Sequence, residues 1–422
     1  MLRGAGSAAS FLLGVQLARF LMPEGFGLYA IVIAFAQMMC VVAQAGLPTL
    51  AVREIAVGIQ SRDWSLIRDA LHWFPRVTLI ASVLVGAALL AGMWIYNWVS
   101  NADAPVELTY AAILAPLFAM IVLNSAELRG FGRIVAGQSL DILVRPALVC
   151  LLLFAVFLIE QGLTPSEALL VYVAASVLTL ALGLSWRRRS IPAEARAAPL
   201  TPHRRHWTKA AVPLAASDVF QQLTGTYGLF VVGLLSPPAE AGYLRVAWGT
   251  IVVIATPLSI FNVVLAPRLA QLHAAKNVHD LQRMVAFAAG AMSLVTCCAL
   301  LLLYLVGQPL LEFVFGEAYA QSWAPLMLLT AGQSVVAFFG VSWVVLSVAG
   351  GERKLALAYA VSTVTGIVVA IILAPRYGAV GAGWAALVGN VLHSGLCWIF
   401  VKRDIGVDGS VFGLLATRRS RS

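Results

Sequence analysis

Asp218, Gln221, Gln222 and Gly225 stand at i, i+3, i+4 and i+7 within an otherwise apolar run, so on a helix they share one face. Such groups bind rather than transform: amides pair with hydroxyls, and a carboxylate can hold a cation. Gln16 and Arg19, three apart, and Gln37 and Gln44, seven apart, make two further polar faces, and the guanidinium of Arg19 has the fork that fits a phosphate. Arg245, one turn from Trp248, is a second such cation, and Asn390 and His393 share a face near the C-terminal end. Each has a structural alternative. The Asp218 stripe would serve equally as an interhelical hydrogen-bond patch. Arg19 and Arg245 could extend to the edge of an apolar layer, and His393 could be a packed core histidine. Asp141 and Arg145, an i, i+4 pair before Pro146, read first as a self-neutralised structural pair. Asn124, Glu127 and Asn262 are weaker candidates, and Arg53 and Arg268 read as loop cations.

The elements that must position these residues are set by composition. Apolar residues make up 61% of the chain and charged residues 11%, far below the quarter or so usual in soluble domains. Mean hydropathy is +0.90, so the chain reads as a membrane protein. Apolar stretches long enough to cross ~30 Å of hydrocarbon as helices fall at 5–22, 27–48, 72–96, 106–124, 139–160, 165–186, 211–235, 242–265, 283–306, 321–349, 355–374 and 379–401. They are about twice the length of the alternating strands of a membrane barrel, so an all-α bundle of twelve transmembrane helices is expected. No small-x-small cleavage site follows Leu21, and the first stretch reads as retained.

Basic residues beside spans stay on the cytoplasmic side. With both termini placed in the cytoplasm, 25 of the 28 Lys and Arg lie on that side, and Arg19, Arg245 and Arg376 on the other. One span missed or invented would invert every later loop. The same partition accounts for the net charge of +9 through anionic headgroups, without nucleic acid as a partner. All five cysteines fall inside spans, with no C-x-x-C, so no metal site is expected. Residues 49–71 carry apolar residues at helical spacing with charges between them and read as an amphipathic helix along the cytoplasmic interface. The outer loops are too short for a folded domain.

Residues 187–209, with three prolines and no apolar periodicity, read as a flexible cytoplasmic linker. It separates an N-terminal six-helix half, 1–186, from a C-terminal half, 210–401, followed by a cytoplasmic tail, 402–422. A shift of 215 places Pro23 on Pro238, Gly27 on Gly242, Leu50 on Leu265, Ala51 on Ala266, Arg53 on Arg268 and Arg68 on Arg283. Both copies enter from the same side, the parallel type of repeat, for which two pseudo-twofold halves around a central cavity are expected. The polar residues do not repeat: Gln16 and Arg19 fall on Val231 and Leu234.

The run ARFL, PEGFGLYA and AGLPTLAVREIA over 18–56 resembles the first two spans of the bacterial polysaccharide (O-antigen) flippase family, within the multidrug/oligosaccharidyl-lipid/polysaccharide exporter superfamily. LRGFGR, SPPAEAGYLRVA, GEAYAQSWAPLMLL and LAPRYGAVGAGWAALVGN follow in the family's order, so the resemblance covers nearly the whole chain. It implies a flippase that carries an undecaprenyl-linked oligosaccharide repeat unit from the inner to the outer leaflet of the bacterial inner membrane by alternating access. The substrate, membrane lipids and a polysaccharide polymerase or assembly complex are then the candidate partners, with H+ or Na+ as candidate coupling ion and no cofactor. No G-x-x-x-x-G-K-[ST] loop is present, which argues against direct ATP hydrolysis. Two alternatives stay open: a drug or small-molecule/cation antiporter of the same superfamily, and a membrane glycosyltransferase or oligosaccharide ligase. The last needs clustered catalytic carboxylates. The outer face offers only Glu24, Asp103, Glu107, Glu160, Glu167, Glu240, Glu312 and Glu317, scattered over short loops, so the chain is read as no enzyme.

Overall fold

The computed structural model describes residues 2–100, 105–159, 162–200, 204–275 and 277–413. Asp103, Glu160, Lys276 and the basic end of the tail, Arg418 to Arg421, lie outside the described residues. Among the described residues every regular element is helical. In order they are α1 (Leu2–Gln44), α2 (Leu47–Ser61), α3 (Trp64–Ser100), α4 (Leu108–Gly130), α5 (Ile134–Ser139), a π turn (Leu140–Val144), α6 (Arg145–Ile159), α7 (Pro165–Ser190) and α8 (Ala193–Ala197). There follow α9 (Arg204–Leu235), α10 (Pro238–Ala274), α11 (Val278–Phe315), a 3-10 turn (Glu317–Ser322), α12 (Trp323–Phe338), α13 (Ser342–Val348) and α14 (Glu352–Ile405).

Among the described residues eight helices are long and apolar enough to cross a membrane, nine if the bent run Glu317–Phe338 plus Ser342–Val348 counts as one. The chain is therefore an all-α, multi-pass membrane protein. The stretches expected as spans 1 and 2 part within α1, where the first is expected to end at 22 and the second to begin at 27. α1 is interrupted only at Met22, whose backbone (φ 57, ψ 170) is not helical, directly before Pro23. α14 likewise joins the stretches expected as spans 11 and 12 through Gly378 (φ 51, ψ −127). A continuous 43-residue helix would be about 65 Å long, twice the hydrocarbon thickness. Each break restores segments of about membrane length. α9, which carries the Asp218 stripe, is not among the eight.

The chain divides into two compact units, Met1–Thr226 and Tyr227–Ser422. In the first, Leu47, Leu50, Ala51, Phe74, Leu123 and Ala126 pack with Trp207. Trp207 is fully buried, its ring centroid 4.8 Å from that of Phe74 and 5.4 Å from that of Trp73. The 187–209 segment thus holds structure where its prolines suggested none: α7 runs to Ser190, α8 buries Ala195, and the Arg68 guanidinium donates to the Ala198 carbonyl. The interfacial helix expected over 49–71 is also two pieces. α2 ends on Arg62 in the left-handed region, and Asp63 caps α3 by accepting from Leu66 N at 3.0 Å and Ser65 Oγ at 2.6 Å.

In the second unit, Glu240 at the start of α10 accepts from Ala379 N at 2.7 Å, just after the Gly378 break. A carboxylate there satisfies an N–H that the new helical run cannot satisfy itself. Gly25 meets Pro165 in the first unit, so both breaks lie against the start of another helix of their own unit. In the stretch expected as a cytoplasmic tail, α14 continues to Ile405, and residues 406–413 pack back on the unit. Gln282 exchanges two bonds with the Asp408 backbone, at 2.8 and 2.6 Å, and Val411 N donates to the Phe338 carbonyl at 3.0 Å.

Candidate functional site

A polar cluster inside the first unit is built around Arg145. The π turn at Leu140–Val144 closes with Arg145 N–H on the Leu140 carbonyl. Such single wide turns inside helices are frequent at functional sites. Pro146 follows and removes the donor for the Ile142 carbonyl four residues back. α1 covers that carbonyl with Gly6, where any Cβ would lie 2.7 Å from it. The distortion aims Arg145 inward. Its guanidinium lies 2.5 Å from Asp141 and 4.6 Å from the centroid of Phe118, with the Arg145 side chain 12% exposed and that of Asp141 35%. Phe118 meets Tyr172 edge-on at 5.6 Å, and Tyr172 meets Tyr29 at 6.1 Å. The two hydroxyls and the Cys40 thiol lie within electrostatic range of the guanidinium. One turn on, Gln44 Nε2 donates to Cys40 Sγ at 3.0 Å. Arg145 Nε is buried and has no hydrogen-bond partner among the described residues.

This is a cation with one neutralising carboxylate, an unused donor and an aromatic wall. Chemically it can hold an anion such as a phosphate through the guanidinium fork while the rings offer faces to a sugar. Within an apolar bundle such a charge is costly, which makes Arg145 a candidate functional position.

A second buried ion pair lies between α4 and α7. Glu127 is fully buried and 2.8 Å from Arg187, and Asn124 packs against Gly183, whose Cβ would lie 2.4 Å from the amide nitrogen. Close packing of helix on helix explains this pair, with Ser125 Oγ donating to the Gly137 carbonyl at 2.7 Å beside it.

The residues singled out from sequence are spread over several environments. Gln16 Nε2 donates to the Cys150 carbonyl at 3.3 Å, tying α1 to α6. Gln44 and the half-buried Gln37 share α1 with Cys40, and Gln44 is thereby part of the Arg145 surroundings. Arg19 and Arg245 are exposed. On α9, Asp218 and Gln222 are half-buried and Gln221 is exposed, so the stripe is split by environment. Asn390 fills the space left by Gly332, 2.7 Å from where a Cβ would stand. His393 stacks on Tyr359 at 4.2 Å and lies 3.9 Å from Cys397 Sγ. Sequence reading weighed Asp141 and Arg145 as structural and passed over Tyr29, Phe118 and Tyr172. The intramembrane arginine was the available signal; aromatics in an apolar run carry none.

The family of polysaccharide biosynthesis proteins matches residues 2–273. The chain belongs to that family. Among solved structures, this polysaccharide biosynthesis family member is similar to a multidrug resistance MATE family transporter of the MOP superfamily in an inward-facing conformation, with 15% identity, a TM-score of 0.75 and 99% of this chain and 96% of that one covered. It is also similar to the lipid II flippase MurJ in an inward closed conformation, at 14% identity and a TM-score of 0.72, covering 98% and 90%. An outward-facing MATE transporter of the same superfamily gives a TM-score of 0.61 at 15% identity, covering 96% and 94%. At such identities the likeness establishes the fold, that of all-α membrane transporters. No curated protein matches the chain.

Proposed function

We propose that this protein is a flippase that moves a polyprenyl-linked oligosaccharide from the inner to the outer leaflet of the bacterial inner membrane by alternating access, making and breaking no bond. The observation that carries the reading is the family match over residues 2–273, on a membrane fold that a lipid II flippase shares. The chain crosses the membrane twelve times, counting each broken helix as two crossings, with both termini cytoplasmic. Residues 1–186 and 210–401 form the two six-helix halves. Arg145 is the anchor for the diphosphate of the headgroup, with Tyr29, Phe118 and Tyr172 beside it for sugar rings. Gln16, Arg19, Gln37, Gln44, Asp218, Gln221, Gln222, Arg245, Asn390 and His393 remain cavity candidates, and Asp218 is the candidate for a coupling cation.

Deleting the gene and extracting lipids tests the reading. A polyprenyl-diphosphate oligosaccharide should accumulate on the cytoplasmic side, and the wild-type chain should clear it. Drug sensitivity without any such lipid would overturn the proposal in favour of a small-molecule exporter. A truncated glycan, lacking one sugar or one linkage, would overturn it in favour of a transferase.

A further inference from the structure

Three arginines end α7, and their surroundings differ. Arg187 is committed inward to Glu127 at 2.8 Å. Arg188 and Arg189 are exposed, and neither guanidinium is paired with a carboxylate among the described residues. Beside them lies an open surface notch of about 430 Å³, lined among the described residues by Ala181, Leu184, Ser185, Arg188 and Arg189.

The outward face of α7 reads as a sequence of three surfaces. Leu170, Val177 and Leu178 are 58%, 49% and 50% exposed, an apolar face suited to acyl chains. One turn on, the side chains shrink to Ala181 and Ser185, which leaves the notch. The two guanidiniums follow. From Leu178 to Arg188 the helix rises about 15 Å; with a headgroup layer of about 5–8 Å, a phosphate held at Arg188 puts Leu178 beside the middle of an acyl chain.

We propose that this notch binds one anionic glycerophospholipid of the surrounding leaflet, separate from the translocated glycolipid. An acyl chain lies along Leu170 and Leu178, the glycerol sits over Ala181 and Ser185, and the phosphodiester is held by Arg188 and Arg189. Guanidiniums suit this role because their planar forks take phosphate oxygens two at a time. The last turn of a helix is its negative end and by itself repels an anion. Affinity must therefore come from the arginine pair, and neutralising it should remove binding rather than weaken it slightly.

Native mass spectrometry of the full chain, purified after exchange against phosphatidylglycerol or phosphatidylcholine vesicles, tests this. Wild type should retain phosphatidylglycerol in preference to phosphatidylcholine. Arg188→Gln with Arg189→Gln should lower retained phosphatidylglycerol about tenfold, and Arg62→Gln with Arg133→Gln, an equal loss of charge elsewhere, less than about twofold. Ala181→Leu narrows the notch where the glycerol sits, with the charge unchanged, and should also release the lipid; it carries the test if the arginine variant fails to fold. Equal retention by the two charge-loss variants would overturn the proposal, as would wild-type retention by Ala181→Leu. Stripping of the lipid by millimolar inorganic phosphate would also overturn it, assigning the arginines to a free anion.

Discussion

Arg145 lies 2.5 Å from Asp141 with its side chain 12% exposed, so the energetic question is which partner depends on the other. Removing one member of a fully buried pair strands a charge and typically costs ~3–5 kcal/mol; with Asp141 35% exposed, water screens part of that here, and replacing both by apolar groups of similar volume can be neutral. Asp141→Asn should therefore lower the unfolding temperature in detergent sharply, and Asp141→Asn combined with Arg145→Met should recover most of it. Polysaccharide export separates structure from function in that recovered double variant. Loss of export with stability restored supports Arg145 as an anion anchor; normal export makes the pair purely structural. The i, i+4 spacing of the pair was legible in the sequence. Its aromatic surroundings were not, because Tyr29, Phe118 and Tyr172 come from three helices and look like core residues in each.

At the scale of elements, the apolar runs were legible, and so was the place of the joints within α1 and α14: Met22 and Gly378 fall where one stretch is expected to end, at 22 and 374, and the next to resume, at 27 and 379. A proline-rich segment, by contrast, does not announce that one tryptophan will be buried. Trp207 contacts Trp73 and Phe74, so Trp207→Ala should destabilise the first unit by ~3–5 kcal/mol, read as a lower thermal midpoint, while Trp207→Phe should recover part of the loss. Gly378 has φ 51, and a Cβ there would lie 2.1 Å from the Glu240 carboxylate. Gly378→Ala should therefore be more destabilising than Gly249→Ala, where no atom stands within 4 Å, by roughly 1–3 kcal/mol.

The docked tail is a third joint, and its chemistry fixes a pH dependence. Burial pushes the Asp408 carboxyl up, but hydrogen bonds from Ser410, Trp398 and Lys402 outweigh it and hold the group below its ordinary 3.8. A carboxylate lowered in the folded state adds stability above its unfolded value, and that contribution is lost as pH falls through the folded value. Residues 406–413 should thus resist amide exchange at neutral pH and lose protection only below about pH 3.8. Asp408→Asn should lose the protection already at pH 7. Equal protection in variant and wild type at pH 7 would show that Gln282 and the backbone hold the tail alone.

For the whole molecule, the 215-residue register separates scaffold from site. Shifted by 215, Asp141 and Arg145 fall on Ala356 and Ala360, and Tyr29, Phe118 and Tyr172 on Leu244, Gln333 and Leu387. The turn residues Pro23 and Gly27 keep their types in the second copy, whereas the ionic and aromatic cluster has no counterpart there. A duplicated scaffold with one charged centre suits a polar headgroup with a distinct reducing end, which offers no symmetry for two equal sites to match. The register also makes the topology testable, because copies related in this parallel manner must face the same side. A reporter inserted at Gly25 should signal the exterior, and one at Glu240 the same side. One placed after Leu200, between α8 and α9, should signal the cytoplasm. Opposite signals from Gly25 and Glu240 would mean that an odd number of crossings separates them, and both the twelve-crossing count and the parallel repeat would fall together.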